Sequence, residues 1–267
     1  MKKYKFLVVD YDGTLVNDQK VITKKTKNAI NEFISRGGIF VVCSGRMTTG
    51  IEPLLKRDGL TCKLLSYNGA EFKDLESNKM LFKKAVDNKT SIEVFKCAES
   101  LNLNVQGYSQ GTFVTKTNDS FTEFYQRLNN VKAIICDKVS DYFVKSGEEN
   151  SKILVFDEKE KLDASFKTIK NKFENLNVIR SNDLQIDITH KEVSKGSAIK
   201  HLANFYGVSV DDIIAVGDAG NDIPMLETAG LSIAMGNAYQ SVKDICDVIV
   251  SDNNNDGIAE IIEKFTI

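Results

Sequence analysis

Short apolar runs that end in polar turns, and that alternate with helix-like segments, constrain the fold of this chain more than any other feature. Residues 5–9 (KFLVV) and 39–43 (IFVVC) have the pattern of buried strands, and residues 21–38 between them carry apolar residues at helical spacing. The alternation returns in residues 212–222 (DIIAVGDAGND) and 231–237 (LSIAMGN). Continuous apolar strands separated by helices are typical of a parallel sheet covered on both faces. The sequence therefore predicts a doubly wound, Rossmann-like α/β core.

The middle of the chain has a different pattern. In residues 82–187, strand-like segments mix with charged amphipathic helices, and the order of segments favours some antiparallel pairing. We therefore expect an inserted α+β domain at 82–187, within a core built from residues 1–81 and 188–267. Insertions of this kind are tolerated where both ends leave a surface loop close together. The chain crossings near Lys83 and Thr189 are then expected to be hinges.

Composition excludes several classes of protein. The net charge of −2 and the pI near 5.9 argue against binding to a nucleic-acid polymer, which leaves a basic footprint. No apolar run approaches the roughly 20 residues that a membrane span needs. The 5 cysteines are scattered without a paired spacing, which favours reduced thiols. We expect a cytoplasmic protein, a monomer or a small homo-oligomer.

Polar residues follow several of the predicted core strands. In open parallel sheets, ligands bind beyond the carboxyl ends of the strands, so these residues are expected to meet at one crevice. Each group alone is also ordinary turn chemistry, because Asp, Asn, Ser and Gly are the usual turn formers. Because all of these groups are expected at the same edge of the sheet, together they favour a ligand-binding site. The residues are Asp10, Tyr11 and Asp12 after the first strand, Ser44, Gly45 and Arg46 after the second, Asn68 and Gly69 after the third, and Asp218 to Asp222 near the C-terminus.

The acids of this group predict a metal ion. Carboxylates gathered at one point repel each other unless a cation neutralises them. Oxygen ligands, with no histidine or cysteine set at zinc spacing, favour Mg²⁺, which often partners a substrate phosphate. The Ser44-Gly45 turn offers a hydroxyl and backbone N–H groups to an anion. Lys195 stands at the start of a predicted helix, where an anion is also favoured, although a surface lysine is the ordinary interpretation.

These motifs, in this order, resemble those of the haloacid-dehalogenase-like (HAD) phosphohydrolase superfamily. The matching segments are DYDGT, the serine of VVCSGR, Lys195 and GDAGND. SYNGA, VSKG and GDAGNDIPML are similar to the Cof-type branch of that superfamily. Tyr11 departs from the aliphatic or Phe residue that is more common there, and DYDGTL resembles trehalose-phosphate phosphatases instead. The two longer motifs favour the Cof-type branch.

The resemblance implies a role for each matching acid. Asp10 would be the nucleophile that forms an aspartyl-phosphate. Asp12 would protonate the leaving oxygen and then activate water, while its backbone carbonyl reaches the metal. Asp218 would complete the protein ligands of Mg²⁺, which are Asp10, Asp12 and Asp218. Asp222 would lie nearby, behind these ligands.

The remaining matches imply contacts to the substrate. The transferring phosphoryl group would be held by Tyr11, Ser44, Gly45, Lys195 and Asn221, with Tyr11 acting through its backbone. Arg46, Asn68 and Gly69 are candidates for contacting the rest of the substrate. In such enzymes the inserted domain is a cap that sets substrate choice, but it carries no motif that identifies the residues responsible. The segments 107–111 and 180–183 are the candidates.

The sequence leaves several functions open. The leading hypothesis is a Mg²⁺-dependent phosphatase of small phosphorylated metabolites, with sugar phosphates or nucleotides as the expected class. A phosphomutase shares the aspartyl chemistry but must retain and rebind its phosphorylated intermediate. A non-catalytic sensor of phosphorylated ligands could use the same core, although every expected catalytic residue is present. Phosphate release from a generic aryl phosphate separates the sensor from the enzymes.

Overall fold

A computed structural model describes residues 2–267 as two compact units. Unit 1 comprises Met1–Gly45, Glu52–Leu81 and Ser194–Ile267, and unit 2 comprises Arg46–Ile51 and Phe82–Val193. The second chain crossing lies at 193/194 rather than at the predicted 187/188, because the strand that includes Asp187 continues to His190 and pairs within unit 2. Among the described residues, no helix combines the length and the apolar character that crossing a membrane requires.

The helices and strands alternate over most of the described chain. The strands are β1 Phe6–Asp10, β2 Ile39–Cys43, β3 Lys63–Ser66, β4 Glu71–Asp74, β5 Lys79–Lys83, β6 Asn104–Ser109, β7 Thr112–Thr115, β8 Ile134–Ile135, β9 Lys152–Phe156, β10 Leu176–Asn182, β11 Gln185–His190, β12 Ile213–Gly217, β13 Leu231–Ala234 and β14 Val248–Ile249. The helices are α1 Lys24–Ser35, α2 Thr48–Arg57, α3 Asn88–Ser100, α4 Ser120–Asn129, α5 Val139–Ser146, α6 Lys159–Lys172, α7 Lys195–Tyr206, α8 Ile223–Leu226, α9 Gln240–Lys243 and α10 Gly257–Phe265.

The larger sheet has its strands, across residues 2–267, in the order β14-β13-β12-β1-β2-β3-β4-β5. Strand β1 lies between β2 and β12 and is parallel to both, with Val8 opposite Val41 and Ala215. The antiparallel edge begins at β4, which pairs with β3. Residues of β1 and β12 are buried along their whole length, as expected for strands covered on both faces. This sheet confirms the predicted α/β core and places the carboxyl ends of β1, β2 and β12 side by side.

Helix α1 forms where the apolar spacing predicts it. Thr23 caps it by accepting a hydrogen bond from the Thr26 N–H, which satisfies one of the free donors of the first turn. Ile30 and Phe33 are fully buried on one face, and the lysines lie on the other. Helix α10 packs against α1. Burying two such side chains stabilises this layer by about 2–3 kcal/mol each.

Unit 2 contains the smaller sheet, whose described strands run in the order β10-β11-β9-β6-β7-β8. One face is apolar, with Val105, Ile153 and Ile188 in the core cluster that the helices of this unit complete. Because side chains alternate along a strand, Gln106, Tyr108 and Lys152 occupy the opposite face, where Tyr108 pairs with Lys152 across the sheet. The two faces of one sheet therefore have different chemistry.

Candidate active site

The carboxyl end of β1 brings Asp10 to a buried ammonium group. Asp10 is 6% exposed, and the Lys195 Nζ donates a hydrogen bond to its Oδ1 at 2.5 Å. The same Nζ donates to Asp222 Oδ1 at 2.6 Å. Lys195 is itself 1% exposed, so the interpretation of it as a surface lysine is wrong. One buried cation thus joins a carboxylate at the end of β1 to a carboxylate in the turn after β12.

Lys195 reaches this position because α7 begins there. Ser194 is the N-cap, accepting from the Ser197 N–H at 3.0 Å, while the Ser197 hydroxyl accepts from the Ser194 N–H at 2.9 Å. This reciprocal cap fixes the first residue of the helix. Gly69, at φ +99, makes room for it, because a Cβ there would lie 2.6 Å from the Ala198 Cβ. The glycine of SYNG therefore has a packing role beside α7.

The end of strand β12 brings a third acid to the cluster. Asp218 follows its end, and the Thr14 hydroxyl donates to Asp218 Oδ1 at 2.8 Å. Gly13 permits this approach, because it has φ +78 and a Cβ on it would lie 2.5 Å from Asp218 Oδ2. The DGT part of the first motif therefore packs directly against Asp218 of the fourth motif. Sequence reasoning assigned no role to Thr14, although it stands inside the DGT motif.

Asp222 is central to the cluster. Its Oδ2 accepts hydrogen bonds from the backbone N–H groups of Asp218 and Ala219, both at 3.0 Å, and its Oδ1 accepts from Lys195. Asp222 is 0% exposed. Its carboxylate closes the GDAGND turn and orients Asp218. The structure thus joins Asp222 to the ammonium that contacts Asp10.

The cluster has more negative than positive charge. Asp10, Asp218 and Asp222 each offer an oxygen, and these oxygens lie within 4.8 Å of one another. Burial raises the pKa of Asp10, against the lowering effect of Lys195, and burial also raises the pKa of Asp218 to about 6. Burial lowers the pKa of Lys195, but the Asp10 and Asp222 carboxylates outweigh it and raise the pKa. A single ammonium among three acids leaves the cluster short of positive charge.

Asp12 lies in a different environment from Asp10. Its side chain is 38% exposed, and its carboxylate is outside the group of acids formed by Asp10, Asp218 and Asp222. The Lys20 Nζ donates to Asp12 Oδ1 at 3.1 Å. Tyr11, between the two acids, has its side chain 1% exposed. The two aspartates of DYD therefore point to different surroundings, as a division of roles requires.

The Ser44-Gly45 turn and SYNG meet at the carboxyl ends of β2 and β3. The Asn68 N–H donates to the Ser44 carbonyl at 2.9 Å, and the Ser44 N–H donates to the Leu65 carbonyl at 2.8 Å. Asn68 has a left-handed backbone (φ +58), and a Cβ on Gly45 would lie 3.0 Å from its Oδ1. This Oδ1 is buried and has no hydrogen-bond partner among the described residues. Asn68 therefore shapes the turn that carries Ser44.

The other predicted contacts are placed as follows. Asn221 is exposed in the turn Gly220–Asp222. Arg46 groups with unit 2. Within unit 2, Gly107 is buried against Phe143, whereas Gly111 lies at the tip of the β6–β7 hairpin. Arg180 donates to the Asn182 and Asp183 carbonyls and so holds the β10–β11 turn.

Sequence reasoning also missed two residues near the first motif. The Asn237 Nδ2 donates to the Gly13 carbonyl at 2.8 Å, and Lys20 contacts Asp12 as described. Asn237 follows the apolar strand β13, so the strand-end rule could have found it. Lys20 lies in a turn 8 residues after Asp12, and no pattern in the sequence marks it.

Comparison with known proteins gives consistent results. A candidate phosphatase of Haemophilus influenzae is 30% identical over 262 residues, covering 98% of each chain. The 5-amino-6-(5-phospho-D-ribitylamino)uracil phosphatase of Bacillus subtilis is 25% identical over 283 residues, covering 97% of each. A solved haloacid dehalogenase-like hydrolase of Bacteroides thetaiotaomicron superposes with a TM-score of 0.87 at 29% identity, covering 98% of this chain and 99% of that one.

The family model described as haloacid dehalogenase-like hydrolase matches residues 7–262. That range includes β1 with Asp10, the Ser44 turn, Lys195 and the GDAGND turn, which are the residues that the structure brings together. Phosphatases recur among the relatives, so the chain is an enzyme of the phosphatase kind. The predicted resemblance is confirmed, and the chain belongs to the haloacid dehalogenase-like hydrolase family.

Proposed function

We propose that this enzyme is a Mg²⁺-dependent phosphatase that hydrolyses small phosphorylated metabolites through a phosphoryl group carried on Asp10. The observation that supports it is the cluster of three carboxylates around one buried ammonium at the carboxyl end of β1. Such a cluster is costly for folding alone, because buried charges without full compensation destabilise a protein. Perturbed acids gathered at a strand end are typical of catalytic sites.

The residues present fit a magnesium ion. All the donors of the cluster are carboxylate oxygens, and Asp10 and Asp218 would supply two of the ligands. The backbone carbonyl of Asp12 would be a further ligand. The charge deficit of the cluster matches a divalent cation. Lys195, already shared by Asp10 and Asp222, would remain to neutralise the phosphate. When bound, Mg²⁺ would neutralise charge on the phosphoryl oxygens and orient them for in-line attack.

The two aspartates of the first motif divide the chemistry. An Asp10 carboxylate oxygen would attack phosphorus, forming the O–P bond as the bond from phosphorus to the leaving oxygen breaks. Asp12 would give its proton to that leaving oxygen. It would then take a proton from the water that attacks the same phosphorus and restores Asp10. The more exposed position of Asp12 suits contact with a leaving group and with water.

The proposed substrate class follows from the name of one relative. The B. subtilis relative is named for a phosphate ester on a ribityl chain, which is a polyol. We propose sugar phosphates or nucleotides for this enzyme, since both are small phosphate monoesters with hydroxyl-rich groups. Ser44, Gly45 and Asn221 would contact the phosphoryl group, and Arg46, Asn68 and Gly69 would contact the remainder of the substrate or shape its site.

Substrate choice is proposed to reside in unit 2, acting as a cap. Exchanges at exposed positions of its hairpin tips, such as Gln110 in β6–β7 and Asp183 in β10–β11, should then alter the ranking of substrates. They should leave the Mg²⁺ requirement unchanged, because the metal ligands belong to unit 1. If the ranking of substrates is unchanged in both variants, the hairpin tips do not determine substrate choice.

A metabolite panel tests the proposed function. Purified protein is incubated with phosphorylated metabolites and Mg²⁺, and released phosphate is measured, with Asp10→Asn as the blank. We expect release from at least one sugar phosphate or nucleotide and none from the variant. Steady single-substrate release of phosphate also separates a phosphatase from a mutase. Failure of the wild-type protein to release phosphate from any member or from an aryl phosphate would contradict the proposal.

A further inference from the structure

The segment after β13 holds two parts of the candidate active site at once. The Asn237 Nδ2 donates to the Gly13 carbonyl at 2.8 Å. Two residues later, the Tyr239 N–H donates to the Asp218 carbonyl at 3.0 Å. Gly13 lies in the turn after β1, and Asp218 lies in the turn after β12. One short segment therefore joins the first motif to the fourth.

Both amide atoms of Asn237 have a partner, which fixes the direction of its side chain. Its Oδ1 accepts from the Asn253 N–H at 3.1 Å, so its Nδ2 is the atom that faces the Gly13 carbonyl. Asn253 is itself held, because it is 7% exposed and its Nδ2 donates to the Val16 carbonyl at 3.1 Å. An asparagine that only shapes its own turn would bond to neighbouring backbone groups instead.

The Gly13 carbonyl needs such a partner more than most backbone groups do. Gly13 has φ +78, and no Cβ limits the rotation of the peptide that follows it. Two backbone hydrogen bonds, at 3.1 and 3.2 Å, join residues 15–16 to residues 10–11 and hold the ends of this turn. Neither bond includes the Gly13 carbonyl. Asn237 therefore supplies the restraint at the middle of the turn.

The peptide that Asn237 holds leads directly to Thr14. The Gly13 carbonyl and the Thr14 N–H belong to one planar unit, so fixing the carbonyl also fixes where the Thr14 side chain begins. The Thr14 hydroxyl donates to Asp218 Oδ1 at 2.8 Å. A donated hydrogen bond favours the ionised carboxylate, which is the form that binds a cation. It also limits the rotation of that carboxylate, and Mg²⁺ demands near-ideal octahedral geometry from its ligands.

We infer that Asn237 is a positioning residue, which holds the Gly13–Thr14 peptide so that the Thr14 hydroxyl fixes the Asp218 carboxylate for Mg²⁺. The inference rests on the proposed function, in which Asp218 is a ligand of that ion. Loss of a residue that contacts a metal ligand typically lowers metal affinity about 10- to 100-fold. Asn237 acts one step further away, through Thr14, so we expect a smaller loss of Mg²⁺ affinity.

The experiment measures Mg²⁺ dependence in Asn237→Ala. Phosphate release from para-nitrophenyl phosphate is followed as Mg²⁺ is titrated, and the rise of Tm with Mg²⁺ in the substrate-free protein reports affinity without turnover. Asn254→Ala is the matched control, because Asn254 is also an exposed asparagine whose side chain donates to and accepts from the segment after the first motif. Its hydrogen bonds reach Asp18 rather than Gly13.

We expect Asn237→Ala to raise the Mg²⁺ concentration for half-maximal rate about 5-fold, and to weaken Mg²⁺ binding in the Tm series by the same factor. The rate at saturating Mg²⁺ should stay within about 2-fold of the wild-type rate. Asn254→Ala should match the wild type in Mg²⁺ affinity. A double-mutant cycle with Thr14→Val tests the route through Thr14, and in that background Asn237→Ala should add less than about 2-fold.

Three results would overturn the inference: wild-type Mg²⁺ affinity in Asn237→Ala, an equal loss in Asn254→Ala, or effects that multiply fully in the double variant. An unfolded Asn237→Ala protein would overturn it too, because a positioning role predicts a folded protein with weakened Mg²⁺ binding. A wild-type protein that neither binds Mg²⁺ nor releases phosphate would instead overturn the proposed function on which the inference rests.

Discussion

Each unit buries one lysine beside an acid, and the two sites differ in how well their charges balance. In unit 1, the Lys195 side chain is 0% exposed and contacts Asp10 and Asp222, with Asp218 close by. In unit 2, the Lys152 side chain is 9% exposed and lies 3.0 Å from Asp187 Oδ1 and 5.1 Å from the centre of the Tyr108 ring. Burial lowers the pKa of Lys152, but Asp187 outweighs it and raises the pKa.

The difference separates a cluster that has more carboxylates than ammonium groups from a pair whose charges balance. Lys152 and Asp187 neutralise each other, and the aromatic ring adds a favourable contact with the ammonium. Lys195 cannot neutralise three acids. A divalent metal and a phosphate group would together complete that cluster, whereas the unit 2 pair needs neither. The number of acids per buried ammonium, rather than burial itself, distinguishes the candidate active site.

The largest expected effect is on the nucleophile. Asp10→Asn should lower kcat on the order of 10⁴-fold or more, because an amide is a poor nucleophile and a weak metal ligand. Asp12→Asn should remain folded and be severely impaired, since the backbone ligand stays while proton transfer is lost. Steady-state phosphate release measures both. Wild-type activity in a folded, pure Asp10→Asn protein would contradict the account.

Metal removal should have an effect nearly as large. Chelation with EDTA should stop activity, and Mg²⁺ should restore it, because the acids around Lys195 lack neutralising charge. Ca²⁺ should inhibit, since its larger radius favours a different carboxylate geometry. Asp218→Ala should raise the Mg²⁺ concentration needed for half-maximal rate by about 10-fold or more. Full activity after exhaustive chelation would contradict a metal site.

The pair in unit 2 should affect stability rather than metal dependence. Lys152→Met leaves the Asp187 carboxylate, whose side chain is 16% exposed, without its ammonium. We expect a loss of about 1–3 kcal/mol in the free energy of unfolding, with an unchanged Mg²⁺ requirement. Arg127→Met, which breaks an exposed pair with Glu123, is the control and should change stability by less than about 0.5 kcal/mol. Denaturant titration measures both, and a shifted Mg²⁺ requirement in Lys152→Met would break the comparison.

A smaller effect is expected from pH on the metal-free protein. The pKa of Asp218 is raised from 3.8 to about 6, so its contribution to stability is fully present below pH 3.8 and is lost as the pH rises through about 6. The wild type should therefore lose stability across this range relative to Asp218→Asn, and Mg²⁺ should reduce the loss. Lys152 has a raised pKa, so its contribution persists throughout, up to 10.5. An equal slope for wild type and Asp218→Asn would contradict this assignment.

The contrast between the lysines also shows what the sequence could predict. Asp10, Asp218 and Asp222 were predicted to share one edge because they follow parallel strands, whose carboxyl ends meet. Lys195 was predicted at a helix start, but its burial depended on the Ser194 cap and on the close packing of Gly69. A sequence motif can therefore identify a residue such as Lys195, but how deeply its side chain is buried depends on the packing around it.

Other contacts had no pattern in the sequence. Lys152 meets Asp187 only because β9 pairs with β11 in one register, which the alternation of each strand alone does not specify. Lys20 meets Asp12 because a strained turn is held by residues 253 and 254, far along the chain. The second boundary between the units lies at 193/194 instead of the expected 187/188 for a similar reason, because β11 pairs with β10 as far as His190. Long-range pairing, rather than local propensity, decides these features.

The most direct test of the central claim is to locate the phosphoryl group on the enzyme. Protein mixed with Mg²⁺ and a good phosphoryl donor is quenched in acid during turnover, digested, and analysed by mass spectrometry. The account predicts an acid-stable, base-labile phosphoryl group on the peptide that contains Asp10, and none in Asp10→Asn. A phosphoryl group on any other residue, or rapid turnover with none at Asp10 at any quench time, would contradict it.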